Sequence, residues 1–266
     1  MDNPVSYTAL VLAGTRPGGD PLATYAGVSH KALIEVGGRA MLERVLLALA
    51  GAQCVKRIVV AIDRADVLAG FAAVDKEVTV MAAASGPSAS VAAALAREGT
   101  PLLVTTADHA LLESAWVDEF VAAAALDVDA DAFIGLARSE AVLAAAPNTQ
   151  RTWLRFPDGA YSGCNLFLLR TPAALNIVRF WQQLEAERKK PLSLLRRLGL
   201  SYVLRYRFGW LGLGQALARL GKLGGARIAP VMLTDGRAAI DVDKPADLIL
   251  VRELVANPPR APAAKA

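Results

Sequence analysis

Short apolar runs recur along the chain, and stretches with a helical spacing of apolar residues lie between them. The runs cover residues 7–12, 57–62, 78–81, 102–105 and 132–137. Runs of this length and composition are typical of strands that are buried on both faces, as in a parallel sheet. The pattern therefore predicts a series of buried strands.

The intervening stretches predict amphipathic helices. The stretch after Gly38 repeats apolar residues on one helical face: Met41, Leu42, Val45, Leu46 and Leu49. A second helix is predicted to begin near 88–90. A third is predicted from Ser114, with an inward face made of Trp116, Val117, Phe120 and Val121. Alternating strands and helices with short connections predict an α/β fold, a mostly parallel open sheet with helices on both faces.

The first predicted strand leads into a loop with the properties of a phosphate site. Gly14 lets the backbone approach a ligand that a side chain would exclude, and the N–H groups of such a turn can hold phosphate oxygens. Arg16 and Lys31 would add the positive charge that a triphosphate requires. A single glycine is a weak signal, so an ordinary strand-to-helix turn with two solvated cations is the alternative.

Carboxylates in two distant segments suit a divalent cation. Asp108 follows the strand predicted at 102–105, although an aspartate there is also typical of a helix cap or turn. Asp241 and Asp243 are alternate residues of an extended segment, so both can point to one side. Magnesium prefers one or two carboxylates together with waters and substrate phosphate oxygens.

Two further segments suit a nucleotide base and a second substrate. Small residues around Ser85, Gly86 and Ser90 would let a planar base lie against the backbone, or the hydroxyls could simply cap the next helix. Gly163 and Asn165 belong to a small-residue turn that enters an apolar strand. An Asx turn is the alternative for Asn165.

In this order, the segments resemble the MobA-like NTP transferase family, nucleotidyltransferases with a GT-A-like fold. The resemblance rests on Ala13-Gly14, Lys31-Ala32-Leu33, Gly38-Arg39 followed by Met41-Leu42, the Ser-Val-x-x-Ala-Leu string at 90–95, the strand before Asp108, and Asp-x-Asp-x-Pro-x-Asp-Leu at 241–248. The family usually has arginine four residues after the glycine. Here Gly18 stands at that position, and Arg16 comes two residues earlier.

The resemblance implies a role for each candidate residue. The nucleotide would be bound by Leu12, Ala13, Gly14, Thr15, Arg16, Lys31, Ser85, Gly86, Ser90 and Asp108. Lys31 and Arg16 would stabilise the displaced pyrophosphate, and Asp108 would act with them in catalysis. Mg²⁺ would be held by Asp108 with Asp241 or Asp243, of which Asp241 is favoured. Gly163 and Asn165 would contact the acceptor.

The implied reaction transfers an NMP from an NTP, CTP or GTP, to a phosphorylated small-molecule acceptor, with release of pyrophosphate. Such a transfer depends on positioning and charge neutralisation, which agrees with the lack of an evident Ser-His-Asp or Cys-His arrangement in the sequence. Two alternatives stay open. One is a GT-A glycosyltransferase that uses a nucleotide sugar, and the other is a non-catalytic nucleotide-binding protein at a membrane surface.

The charge of the chain is unevenly distributed. The net charge is +4, yet residues 188–234 contain ten Lys or Arg and no acidic residue, so the remainder has 19 basic and 25 acidic residues. We interpret 188–227 as a basic helical insertion that Gly199, Gly209, Gly212, Gly214 and Gly221 break into short helices. Its longest uncharged run, 208–218, is too short to span a bilayer.

The role of this insertion is open between a solvated subdomain, a lid over an anionic acceptor, a subunit interface and peripheral contact with a membrane. No nucleic-acid-binding module is recognisable, so we expect no nucleic-acid partner. The oligomeric state is not indicated.

The length suits a single nucleotidyltransferase domain over residues 1–256, with a disordered tail at 257–266. Cys54 and Cys164 match no metal or redox spacing, and the first residues indicate no secretory leader, so a cytoplasmic protein is expected. The two histidines cannot form a metal cluster by themselves, and His109 is expected to be non-catalytic.

Overall fold

A computed structural model describes residues 6–15, 18–187 and 199–257. Eight strands form the central sheet, and a two-stranded hairpin lies apart from it. The strands are β1 (Tyr7–Leu12), β2 (Glu35–Val36), β3 (Arg39–Ala40), β4 (Val55–Ile62), β5 (Glu77–Ala82), β6 (Leu102–Thr106), β7 (Ala132–Arg138), β8 (Leu154–Phe156), β9 (Gly159–Leu169) and β10 (Ile228–Met232). All five predicted runs lie within strands of the central sheet.

The sheet order is β10-β7-β9-β6-β1-β4-β5, with β8 beside β9 and the hairpin formed by β2 and β3. β1 pairs in parallel with both β4 and β6. β5 pairs in parallel with β4, and β10 pairs in parallel with β7. β9 is antiparallel to β6 and β7 and lies between them. The prediction of a mostly parallel sheet is confirmed, with β9 as the exception.

Helices connect the strands of this sheet. They are α1 (Pro21–Tyr25), α2 (Met41–Gly51), α3 (Pro87–Glu98), α4 (Ser114–Ala125), α5 (Ser139–Ala145), α6 (Ala174–Glu187), α7 (Leu200–Arg207), α8 (Leu213–Gly224) and α9 (Pro245–Ala256). The predicted inward residues of α2 and α4 are all buried. The helix predicted near 88–90 begins at Pro87, a residue favoured in the first helical turn because its missing N–H has no partner there.

Two apolar cores cover the two faces of the sheet. Ala9 and Val11 of β1 belong to the core formed with α2, α4 and α9, whereas Leu10 faces α3 and α6. Successive side chains of a strand point to opposite faces, which explains why β1 has no polar side chain along 9–11. Full burial of a side chain as large as Leu10 contributes about 2 kcal/mol to folding. Helices on both faces are therefore confirmed.

The described part of the basic insertion is helical, while residues 188–198 lie outside the described residues. The prediction that five glycines break this stretch into short helices is wrong for Gly214 and Gly221, which lie inside α8. A Cβ on Gly221 would lie 2.5 Å from the Ala226 oxygen, so close packing explains this glycine. No helix among the described residues is long and apolar enough to cross a membrane. Asn257 caps α9, and residues 258–266 are outside the description.

Both cysteines are free thiols. Burial, followed by the neighbouring Asp118 carboxylate, raises the pKa of Cys54 to about 12. Burial also raises the pKa of Cys164. Because the thiolate is the reactive form, both groups are poor nucleophiles at neutral pH.

Candidate active site

A cleft of about 560 Å³ opens at the carboxyl ends of β1, β5 and β6. This volume suits a small-molecule ligand, and the position is the usual one for ligands of parallel sheets. Its lining includes most of the residues predicted to bind the nucleotide: Leu12, Ala13, Gly14, Thr15, Lys31, Ser85, Gly86, Ser90 and Asp108. Arg16 lies outside the described residues, so its placement stays a prediction.

Gly14 brings two walls of the cleft into close approach. A Cβ built on Gly14 would lie 2.8 Å from the Cβ of Ala83, which follows β5. Real Cβ atoms do not approach so closely, so only glycine fits without a shift of one wall. Ala13 N donates to Ala61 O at 2.9 Å, which fixes the start of the loop on the neighbouring strand.

A small polar network holds Thr15 in place. The Thr15 N–H donates to Asp63 Oδ1 at 2.9 Å. His30 Nδ1 accepts a hydrogen bond from the Ala32 N–H at 3.1 Å, so in the neutral ring the proton is on Nε2. His30 Nε2 lies 2.8 Å from Thr15 Oγ1 and 3.2 Å from Asp63 Oδ1. Burial alone would raise the pKa of Asp63, but the bonds from Thr15 and His30 lower it overall.

The sequence interpretation missed this anchor. Asp63 directly follows β4, so its position at a strand end was the signal that could have revealed it.

Lys31 joins two carboxylates that come from distant parts of the chain. Its Nζ lies 2.8 Å from Asp108 Oδ2 and 3.3 Å from Asp243 Oδ1. Burial disfavours the charged ammonium, but attraction and hydrogen bonding by Asp108, with smaller contributions from Asp243 and Asp20, leave the pKa of Lys31 raised. Lys31 is therefore a fixed positive charge in the lining of the cleft.

Asp108 also has a free acceptor. Among the described residues, its Oδ1 is buried and has no hydrogen-bond partner. A buried carboxylate oxygen without a partner is costly unless it receives a hydrogen bond or a cation. This oxygen therefore fits the predicted role of a metal ligand.

Asp241 lies beside the cleft lining. Its Oδ1 pairs with Arg151 Nη2 at 2.5 Å, and its Oδ2 accepts from Asn165 Nδ2 at 2.7 Å. Burial raises the pKa of Asp241; Arg151 opposes this rise, and the nearby carboxylates of Asp108 and Asp243 add to it. The described cleft lining thus contains Asp243 but not Asp241, and the preference for Asp241 as a ligand stays a prediction.

The two predicted acceptor residues lie on β9, next to this pair. Asn165 has a φ of 48°, in the left-handed region, close to an irregularity in the pairing of β7 with β9. This conformation accompanies the contact of its side chain with Asp241. A Cβ on Gly163 would meet no described atom within 4 Å, so space is open beside it. Neither residue belongs to the described lining of the nucleotide cleft.

The loop before α3 is fixed by its serines. Ser90 Oγ accepts from Ala84 N at 2.9 Å, and Ser88 Oγ donates to the Glu185 carboxylate of α6. Gly86 is the N-cap of α3, and no side chain caps that helix. The serines therefore shape the loop in place of capping the helix. Glu185, which the sequence interpretation missed, adds a carboxylate to the lining at this end of the cleft.

His109, next to Asp108, lies behind the site. It is buried and stacks on Trp116, with ring centroids 6.3 Å apart. Burial lowers the pKa of His109 to about 4. The ring is neutral at physiological pH, which is compatible with the expected non-catalytic role.

We expect this histidine to make folding sensitive to acid. The pKa of an unfolded histidine is about 6.5, whereas that of folded His109 is about 4. Between about pH 6.5 and about pH 4 the unfolded state therefore binds more protons than the folded state. As a result, the free energy of unfolding falls as the pH falls through this range. Between pH 7 and pH 4.5 the loss from this residue is on the order of 2 kcal/mol. Urea unfolding at both pH values measures it. Over the same pH change, the free energy of unfolding of His109→Gln should fall by about 2 kcal/mol less than that of the wild type. Equal losses in the wild type and the variant would show that His109 is not the acid-sensitive group.

Solved structures share this fold. A hypothetical transferase from Thermus thermophilus has 27% identity and a TM-score of 0.76, covering 92% of this chain and 100% of its own. CMP:2-keto-3-deoxy-manno-octonic acid synthetase complexed with CTP has 15% identity and a TM-score of 0.57, covering 96% and 99%. The 4-diphosphocytidyl-2C-methyl-D-erythritol synthase from Anaerococcus prevotii has 12% identity and a TM-score of 0.56, covering 96% and 100%. The comparison with curated proteins gives no significant match.

A family model matches most of the chain. The model describes the MobA-like NTP transferase domain and matches residues 9–202, from the first strand past the β9 segment. The matched range contains the glycine loop, Lys31, the serine loop and Asp108, whereas the carboxylates at 241 and 243 follow it. The chain belongs to the MobA-like NTP transferase family and is a nucleotidyltransferase.

Proposed function

We propose that the protein transfers an NMP from an NTP to the phosphate of a small-molecule acceptor, with Mg²⁺. An acceptor phosphate oxygen attacks the α-phosphorus, the bond between that phosphorus and the oxygen bridging to the β-phosphate breaks, and pyrophosphate leaves. The contact of Lys31 with Asp108 and Asp243 beside the glycine loop carries the proposal. The presence of these charged groups in one cleft supports the proposal, because phosphoryl transfer depends on positioning and charge neutralisation.

The main role of these residues is electrostatic. Backbone N–H groups of the loop from Ala13 to Thr15 would hold phosphate oxygens, and the network of His30 and Asp63 would keep that loop in position. Lys31 would stabilise the negative charge of the departing pyrophosphate, with Arg16 as its proposed partner. Such preorganised charges need no rearrangement when the bond breaks.

Asp108, with Asp243 or Asp241, would hold the magnesium ion. The unpartnered Asp108 oxygen supports this assignment. No group of three or more His, Cys, Asp or Glu side chains in the described segments is arranged to hold a metal, so substrate phosphates and waters would have to complete the coordination. A bound magnesium would neutralise charge on the phosphates.

The nucleotide is proposed to be CTP, with GTP as the alternative. Two structural neighbours, a synthetase complexed with CTP and a diphosphocytidyl synthase, favour a cytidine nucleotide. The Glu185 carboxylate at the serine loop can accept a hydrogen bond from an amino group, which both cytosine and guanine carry. Gly163 and Asn165 would face the acceptor.

Pyrophosphate release tests the proposal. Each of the four NTPs is incubated with magnesium and a panel of phosphorylated sugars and polyols, and release is measured with a coupled assay. We expect release that requires magnesium, an acceptor and either CTP or GTP, and that is abolished in Asp108→Asn. Turnover of nucleotide sugars without pyrophosphate would instead indicate a glycosyltransferase and would overturn the proposal.

A further inference from the structure

A group of large apolar side chains is exposed on α7 and the turn that follows it. No residue within the described helix is buried. We call these side chains the α7 surface: Leu200, Leu204, Tyr206, Phe208 and Trp210. Leu200, Leu204 and Phe208 are four residues apart, so they form a stripe along one side of the helix. Contiguous apolar exposure of this kind marks a binding surface more often than scattered apolar residues do.

The turn at the end of α7 presents two aromatic rings outward. Phe208 is 59% exposed and Trp210 is 68% exposed. Their rings stack, with centroids 5.4 Å apart. The turn is fixed by Trp210 N donating to Arg205 O at 2.7 Å, and by Arg205 Nη2 donating to Trp210 O at 3.3 Å. The two rings therefore protrude from an ordered turn.

The charged side chains of α7 and the turn after it have one sign. Residues 199–212 contain Arg205 and Arg207 and no acidic residue, and the exposed Arg207 directly precedes Phe208. Arg205 and Arg219 lie over the ring of Tyr202, at 5.7 and 4.8 Å from its centroid. An apolar surface with arginines beside it is complementary to an apolar layer covered by anions.

The α7 surface is attached to the sheet. Tyr206 packs edge-on against Phe156 of β8, with centroids 5.4 Å apart. The Asp158 carboxylate, in the turn between β8 and β9, accepts the Leu213 N–H at 3.2 Å. Both anchors belong to the hairpin that leads into β9, the strand that carries Gly163 and Asn165. The surface is thus held in a defined position relative to the domain.

We propose that the α7 surface docks peripherally on bilayers that contain anionic lipids. Phe208 and Trp210 insert into the boundary between headgroups and acyl chains, where aromatic rings are favoured, and Arg207 with its basic neighbours contacts the lipid phosphates. Charge complementarity selects this partner over a neutral membrane. This inference goes beyond the proposed reaction and does not depend on it.

Vesicle cosedimentation of the full chain tests the proposal. We expect binding to vesicles of phosphatidylglycerol mixed with phosphatidylcholine, weak binding to phosphatidylcholine alone, and loss of binding as salt is raised. The double variant Phe208→Ser/Trp210→Ser should bind anionic vesicles at least about tenfold more weakly. Arg207→Ala should weaken binding about fivefold.

The double variant Leu126→Ser/Val128→Ser is the matched control. These side chains are 87% and 79% exposed but lie beside Asp127 and Asp129, so two exposed apolar side chains are again replaced by serine, here next to carboxylates. This control should bind like the wild type. Both double variants should keep the wild-type melting temperature and the wild-type activity on water-soluble substrates.

Two results would overturn the proposal. The first is that the wild type does not bind anionic vesicles, or binds them no better than Phe208→Ser/Trp210→Ser does. The second is that the wild type is a dimer by sedimentation equilibrium while this variant is a monomer, which would assign the α7 surface to a second copy of the chain.

Discussion

Replacing Lys31 with methionine should lower the rate of pyrophosphate release by about 100- to 1000-fold, the effect typical of removing one preorganised charge or donor from a reacting centre. Methionine keeps much of the length of the side chain but has no charge. Lys31 is the described cation that contacts both Asp108 and Asp243, and the leaving pyrophosphate would lose its stabilisation. The measurement is the steady-state rate with saturating NTP and acceptor.

Lys56→Met is the matched control for this prediction. Lys56 is exposed on β4, outside the described cleft lining, so its removal should leave the rate unchanged. Thermal melting of both variants separates a loss of chemistry from a loss of folding. A folded Lys31→Met protein with the wild-type rate would remove Lys31 from the mechanism.

The second large effect is expected from Gly14→Ala. The added methyl group would lie 2.8 Å from Ala83 Cβ, so the glycine loop and the segment after β5 would have to separate. Overpacking of this kind costs about 1–3 kcal/mol, which corresponds to a loss of nucleotide affinity of roughly 5- to 150-fold if the strain acts on the bound arrangement. Titration with a fluorescent NTP analogue measures the affinity.

The chain offers a compensating change. Ala83→Gly removes the atom with which the new methyl group would collide, so the double variant Gly14→Ala/Ala83→Gly should recover most of the affinity. Gly70→Ala is the control for a change from glycine to alanine in open space, because its Cβ would meet no described atom within 4 Å. If the double variant binds as weakly as Gly14→Ala, the close approach of the two walls is not the cause.

The strands and helices were predictable because burial on both faces leaves a strong pattern in the sequence. Residues 9–12 of β1 are all apolar, and α2 repeats its apolar residues at a helical period. The sequence analysis assigned Lys31 to the loop region after the first strand and Asp108 to the end of the strand at 102–105, and the two side chains are in contact. The antiparallel insertion of β9 between β6 and β7 was not predictable, because strand order depends on how the chain crosses the sheet and not on local periodicity.

The residue pairs that position the site cannot be identified from local sequence patterns either. Arg151 and Asp241 are 90 residues apart, and Arg151 lies outside any regular element, so no spacing rule connects them. The contact of Ser88 with Glu185 joins α3 to α6 across 97 positions. Contacts of this kind depend on how helices and strands pack together, which a single sequence does not show.

The pairing of Lys31 with Asp108 and Asp243 has an electrical consequence. One ammonium faces two carboxylates, so these three side chains together have one excess negative charge before any substrate arrives. A bare triphosphate would be repelled by that excess, whereas a triphosphate already complexed with a divalent cation would bring the missing positive charge with it. We therefore expect the cleft to discriminate between the naked and the complexed forms of one nucleotide.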